Sequence, residues 1–225
     1  MELTPFIQPT ELAHDGCALP LRPLYELEHG TLAAVEFAFE NSFLSETQKL
    51  ETIKKVLRNR RGILNPGAFL CVSLGEEELA DPQFPSDLSG ICHQIGIAPA
   101  NLGLFFPDDS CLKFGLHALD QFLILKRLGF RLGLDIVRLG TLPALFVERL
   151  PADVLRLDPL DSLALDEDPQ SQSDILDFVA FAANLLMTPA ARGVRNHVQL
   201  SKLKSMGIRI GQGPLFSGQT AHTPS

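Results

Sequence analysis

The run from Arg131 to Asp158, RLGLDIVRLGTLPALFVERLPADVLRLD, constrains the fold more than any other stretch of the chain. Two short apolar segments, RLGLDIV and ADVLRLD, flank TLPALFVERL, in which Leu142, Leu145, Phe146 and Leu150 recur at helical spacing. A connection of this length between two like segments suits a parallel β-α-β unit. Parallel strands need a long crossover, whereas antiparallel strands close through a tight turn. Both segments finish on an acid, Asp135 and Asp158. Barrel and doubly wound α/β proteins carry their sites at the carboxyl ends of strands, which makes these two carboxylates functional candidates. Strand-end acids serve equally as helix N-caps or solvated loop residues.

The same alternation runs through most of the chain. Leu19–Leu27 and Thr31–Phe39 read as two strands around the Gly-containing turn EHG, hence an antiparallel hairpin. Ser45–Arg61 is an amphipathic helix with Leu50, Ile53 and Leu57 on one face. Its basic end, Lys54–Arg61, complements the helix dipole or offers a docking surface. Ala68–Leu74 and Leu102–Phe106 are apolar runs suited to strands buried on both faces, with a helix over Pro85–Ile95 between them. Phe114–Leu128 reads as a helix whose Leu116, Leu119, Leu123 and Leu128 face the core, stopped by Gly129. After Asp158, an acidic, Ser- and Gln-rich loop is expected over Asp166–Asp177, running into a helix from about Ile175 to Leu186. Asn196–Met206 is a last helix with Val198, Leu203 and Met206 inward, followed by a short strand at Ile208–Ile210 and the segment GQGPLFSG. About eight strands alternate with helices, enough to close a (β/α)8 barrel of the TIM-barrel kind with one antiparallel strand near the N-terminus. Residues 1–18 form a Pro-interrupted lead-in with at most a turn of helix, 19–218 the barrel domain, and 219–225 a tail expected to be disordered.

Composition excludes several classes of function. A net charge of -8 over 225 residues argues against a general nucleic-acid binder, which needs a basic face for phosphates. Cys17, Cys71, Cys92 and Cys111 form no CxxC pair, and the six histidines have no metal-ligand spacing to one another. No charged leader and no apolar stretch of membrane-spanning length is present, so a soluble cytoplasmic protein is expected.

In order and spacing, RPLYELEHGTLAAVEFAF, FLCVSL, LGLFFPDD, LGLDIVRLG, LPADVLRLD, ARGVRNHVQLSKLKSMG and IGQGPLFSG resemble the EAL domain of bacterial cyclic di-GMP phosphodiesterases. The interval from Asp135 to Asp158 matches that from the family's DDFGTG to its KID, and GQGPLFSG is similar to its QGYLFG segment. The resemblance implies a barrel whose strand ends hold two divalent cations, an attacking water and the dinucleotide. Metals in such a site polarise the phosphodiester and acidify the water, which calls for anionic or oxygen-rich ligands.

Against that pattern this chain keeps Glu36, Asp135, Asp158 and Gln212. It places Glu40 at the phosphate-binding Arg of EALxR, Ser73 at a metal-binding Asn and Phe105 at a metal-binding Glu. Ile136 stands at the second acid of the DD pair, VRLG replaces the mobile FGTG loop, and Arg156 replaces the Lys of KID. Arg192 and Arg195 replace the two glutamates of AEGVET, and Arg22 replaces the Gln of the QP pair. Each carboxylate-to-guanidinium exchange shifts the local charge by two units, and a unit charge about 6 Å away is worth roughly 3 kcal/mol at an effective dielectric near 20. No residue is therefore assigned a catalytic or metal-ligating role, and no cofactor is expected; magnesium or manganese would belong only to a still-functional family site.

The resemblance thus implies a degenerate, catalytically inactive EAL-like regulator. It is expected to work through protein-protein interaction with another bacterial signalling protein in motility, pili or biofilm control, without binding nucleic acid or membrane. The alternative is a non-hydrolysing cyclic di-GMP receptor, with Arg22, Arg156, Arg192 and Arg195 meeting phosphates. An active metal-dependent phosphodiesterase is the third reading. Glu36 and Asp135 also have a purely structural role open to them, as partners of Arg156 or Arg192.

Overall fold

The structure, a computed structural model, describes residues 13–14, 17–18, 20–39, 44–59, 67–136, 144–157 and 169–216. Asp158, Glu40, the VRLG segment, Leu142 and the C-terminal residues after 216 lie outside the described residues, as does most of the lead-in. Within the lead-in, β1 (Ala13–His14) and β2 (Cys17–Ala18) pair antiparallel where a turn of helix was expected.

The barrel begins with the hairpin β3 (Leu21–Glu26) and β4 (Leu32–Ala38), which turns through Gly30 at φ 72°. It continues through β5 (Phe69–Ser73), β6 (Leu102–Pro107), β7 (Arg131–Ile136), β8 (Val154–Leu157), β9 (Thr188–Ala191) and β10 (Ile210–Gln212). The strands β10-β3-β4-β5-β6-β7-β8-β9 close on themselves. β3 runs antiparallel to both β10 and β4, and the other pairings are parallel. This is the α/β barrel with one reversed strand near the N-terminus that the alternating pattern implied.

Eight helices are described around the barrel. α1 (Glu46–Arg58) starts at a capping box between Ser45 and Gln48, buries Ile53, Val56 and Leu57, and carries Lys55 and Arg58 in its last turn, where positive charge suits the exposed carbonyls. α2 (Glu76–Ala80) and α3 (Phe84–Gln94) follow β5, and α4 (Asp108–Phe114) and α5 (Leu116–Arg127) follow β6. α6 (Ala144–Val147), α7 (Pro169–Asn184) and α8 (His197–Ser205) complete the set.

Several expectations need correction. The predicted helix over Phe114–Leu128 is divided at Gly115, and its buried stripe is Ala118, Phe122 and Leu125, whereas Leu116 and Leu123 are exposed. This helix is apolar around much of its circumference, so periodicity alone does not select its inner face. Leu145 and Val198 likewise point outward, and Val147 and Leu200 take the buried places. α7 begins at Pro169, inside the expected loop, because Pro is tolerated in a first turn and Ile175, Phe178 and Ala182 supply an inner stripe. β9 went unrecognised, since Pro189 and three small or polar neighbours do not read as a strand. The last strand lies at Ile210–Gln212, two residues later than expected.

The core has two parts. A large apolar cluster fills the space between barrel and helices, including Val35, Phe37, Leu70, Phe106, Leu134, Leu155 and Ile175. A small cluster of Leu24, Ala34, Cys71 and Phe105 fills the barrel interior, with Phe69, Val154 and Ile210 packed on it. Successive strand residues alternate between these two environments, as pleating requires.

Candidate functional site

The alternation fixes what reaches the barrel mouth. Following the inward phase from Ala34, Cys71, Gly133, Val154 and Ile210 two residues along each strand leads to Glu36, Ser73, Asp135, Arg156 and Gln212. Arg192 follows β9 directly. All six side chains converge on one hydrogen-bonded network at the carboxyl ends of the parallel strands.

Glu36 is its centre and is fully buried. Its Oε1 accepts from Arg156 Nη2 at 2.8 Å, Arg192 Nη2 at 3.0 Å and Ser73 Oγ at 2.5 Å. Its Oε2 accepts from Gln212 Nε2 at 2.6 Å. Arg156 holds Asp135 with two parallel bonds, Nε to Oδ1 at 2.6 Å and Nη2 to Oδ2 at 2.9 Å, the fork geometry that a lysine cannot reproduce. Arg192 adds an ion pair to Asp135 Oδ2 at 3.5 Å and donates to Gln212 Oε1 at 3.3 Å. Ser73 Oγ accepts from both guanidinium groups, at 3.4 Å and 3.2 Å, while giving its own proton to Glu36. The hydroxyl's one donor and two acceptor positions are thereby all used.

Phe105 and Gly133 form the floor. The Arg156 guanidinium carbon stands 4.0 Å from the centroid of the Phe105 ring, a cation-π contact in a desolvated setting. The ring itself lies where a side chain at 133 would be, since a Cβ there would come within 2.2 Å of it. Gly133 thus makes room for Phe105, and Phe105 supports Arg156. The sequence marked Phe105 as a lost ligand and Ser73 as the replacement for one, able to hold metal with Glu36 and Asp135 only in the active-phosphodiesterase reading, and did not single out Gly133. The available signal was a glycine inside a strand on the inward phase, which marks close approach.

The charges follow from this packing. Burial pushes the Glu36 carboxyl up, but the charges of Arg156 and Arg192, with hydrogen bonds from Arg156 and Ser73, more than offset it and hold the group well below the carboxylate range. Burial likewise opposes the charge on Arg156, and the facing Asp135 and Glu36 carboxylates hold its pKa above the ordinary arginine value. Burial raises the Cys71 thiol on the strand below, with the Glu36 charge adding to it. Two carboxylates and two guanidinium groups leave the network with no net charge.

Other singled-out residues stand apart. Arg22 sits opposite Glu36 in the β3–β4 register, at the same rim, and is exposed. Arg195 is exposed, with its backbone N–H bonded to Gln199 Oε1. Among the described residues, the one group of three carboxylate or imidazole side chains close enough to share an ion is Glu26, Glu28 and His29, in the β3–β4 turn at the opposite end of the barrel.

An eight-stranded α/β barrel with a single reversed strand and a ring of polar side chains at its strand ends defines the class. The sequence matches the EAL domain family over residues 39–219, and the chain belongs to that family, which relates it to cyclic di-GMP phosphodiesterases. It is 24% identical over 157 residues to the uncharacterized protein Rv1357c of Mycobacterium tuberculosis, a match covering 68% of this chain and 51% of the relative. The chain thus spans about half the length of the curated relatives it matches. Its fold superposes on the EAL enzyme Bd1971, in a form bound to cAMP and cyclic di-GMP, with a TM-score of 0.80 and 19% identity, covering 88% of this chain and 61% of that one. The PaMucR phosphodiesterase in complex with cyclic di-GMP gives a TM-score of 0.78 at 19% identity, covering 88% and 90%.

Proposed function

We propose that this EAL domain works by binding rather than by metal-dependent hydrolysis, as a regulatory module of a bacterial cytoplasmic signalling system that acts on a protein partner in motility, pilus or biofilm control. The observation that carries the reading is the engagement of Glu36 and Asp135 by Arg156 and Arg192. A divalent cation needs several free oxygen donors, mostly anionic. Here both oxygens of Glu36 already accept hydrogen bonds, Asp135 is held bidentately, and Phe105 has no donor to offer. The donor set does not fit a pair of metal ions. No helix among the described residues is long and apolar enough to cross a membrane.

A second reading, a receptor that binds cyclic di-GMP without cleaving it, draws support from the cations at the rim. Arg22 is exposed, and the Arg192 side chain is 21% exposed, so both can meet a phosphate without uncovering the buried network. Calorimetric titration of the protein with cyclic di-GMP, with and without magnesium or manganese, together with chromatography for the linear product, separates the readings. Neither heat nor product is the expected result for a protein-directed module. Saturable heat without product selects the receptor, and product in proportion to protein overturns the proposal.

A further inference from the structure

The outer face of α5 carries an observation unconnected with the mouth. Leu116, Asp120, Leu123, Ile124 and Arg127 are all exposed, and at 100° per residue they fall on one stripe of the helix. Leu116 is 74% exposed, and Ile124 and Leu123 are exposed to 42% and 38%. Asp120 and Arg127 have no hydrogen-bond or ion-pair partner among the described residues, whereas neighbouring Lys126, off the stripe, pairs with Asp153. Along its length the stripe is therefore apolar at its centre, with one acid toward the N-terminal end and one base toward the C-terminal end, each without a partner among the described residues.

That arrangement is self-complementary. When two copies of α5 lie antiparallel about a twofold axis passing between Leu123 and Ile124, Asp120 of each copy falls opposite Arg127 of the other, because the two residues are equidistant from the axis. Leu123 and Ile124 of both copies meet at the axis, and Leu116 adds apolar surface at each end. We infer that α5 is a homodimer interface in which a central leucine-isoleucine contact is flanked by two reciprocal Asp120–Arg127 pairs. One helix face per copy is well below the roughly 800 Å² per partner of standard interfaces, a size that belongs to weak, transient association.

Sedimentation equilibrium of the protein up to about 1 mM tests this, with a charge-exchange series as its control. Asp120→Arg and Arg127→Asp each set like charges against one another across the axis. Either change alone is expected to weaken association by about tenfold or more, while the double exchange restores it to within about threefold. All four residues at the centre of the stripe are solvent-facing, and circular dichroism confirms that each variant is folded. A protein that stays monomeric to 1 mM overturns the inference. So does an association indifferent to the single exchanges, which would lie on another surface, or one that the double exchange fails to restore.

Discussion

Replacing Arg156 with Met keeps most of the side-chain volume over Phe105 and removes the charge that binds Glu36 and Asp135. With the charge centres about 4 Å apart, each of the two attractions is worth roughly 4 kcal/mol at an effective dielectric near 20. Desolvation, at several kcal/mol per buried ion, cancels much of that in the intact network. The variant forfeits the attraction but keeps the fully buried Glu36 carboxylate and the partly buried one of Asp135, now facing Arg192 alone among the guanidinium groups. The expected loss is about 3–5 kcal/mol at pH 7, a large share of a domain's stability.

The deficit should depend on pH. In the native protein Glu36 lies below its ordinary value, so its contribution is present above the unfolded carboxylate pKa and is lost only as pH falls far into the acid range. Without Arg156 the burial effect dominates, the Glu36 carboxyl rises, and its protonation relieves the unpaired charge. The gap between native protein and variant is therefore expected to narrow as pH falls from 7 toward 4. Urea unfolding followed by far-ultraviolet circular dichroism is the suitable assay, because the chain has no tryptophan. The triple change Glu36→Gln, Asp135→Asn and Arg156→Met should recover part of the loss, since neither carboxylate is then charged and the one guanidinium left in the network, on Arg192, reaches solvent through a 21% exposed side chain. A loss below about 1 kcal/mol, or one constant across pH, would refute the reasoning.

Other perturbations follow from the same structure. A hydrogen bond to Asp81, then burial and the charges of Asp81, Asp87 and Glu78, push the Glu46 carboxyl up to about 7. A folded-state pKa raised above the ordinary 4.5 means stability present below that value and lost as pH rises through about 7, so Glu46→Gln should flatten this part of the stability profile. Leu186 adopts φ 59° just beyond α7 while 93% exposed, and Leu186→Gly is expected to raise stability by about 0.5–1 kcal/mol, measured as a higher Tm. Gly133→Ala would drive a methyl group into the Phe105 ring and should cost roughly 1–3 kcal/mol in the same urea assay.

The barrel was legible because strand and helix periods alternate and because the crossover between β7 and β8 demands parallel pairing. The reversed strand was equally legible from the short turn at Glu28–Gly30. β9 was hidden by Pro189 and its alanines, whose strand state is imposed by β8 and β10 on either side rather than by propensity. The inner face of α5 was hidden because apolar residues occupy both sides of the helix, and only packing selects Phe122 over Leu123. At the mouth, the identities of Glu36, Asp135, Arg156, Arg192 and Gln212 were readable, and so was pairing between acid and arginine as one option. Their joint convergence on a single carboxylate depends on sheet register, which one sequence does not disclose.

The most direct test of a mouth neutralised by its own arginines is the electron paramagnetic resonance signal of free Mn²⁺ during titration of the protein with manganese. The expected result is a free-ion signal that rises in step with added metal into the millimolar range, unchanged in Glu36→Gln. Stoichiometric loss of that signal at low metal, abolished by Glu36→Gln, would show a metal held by Glu36 and would contradict the account.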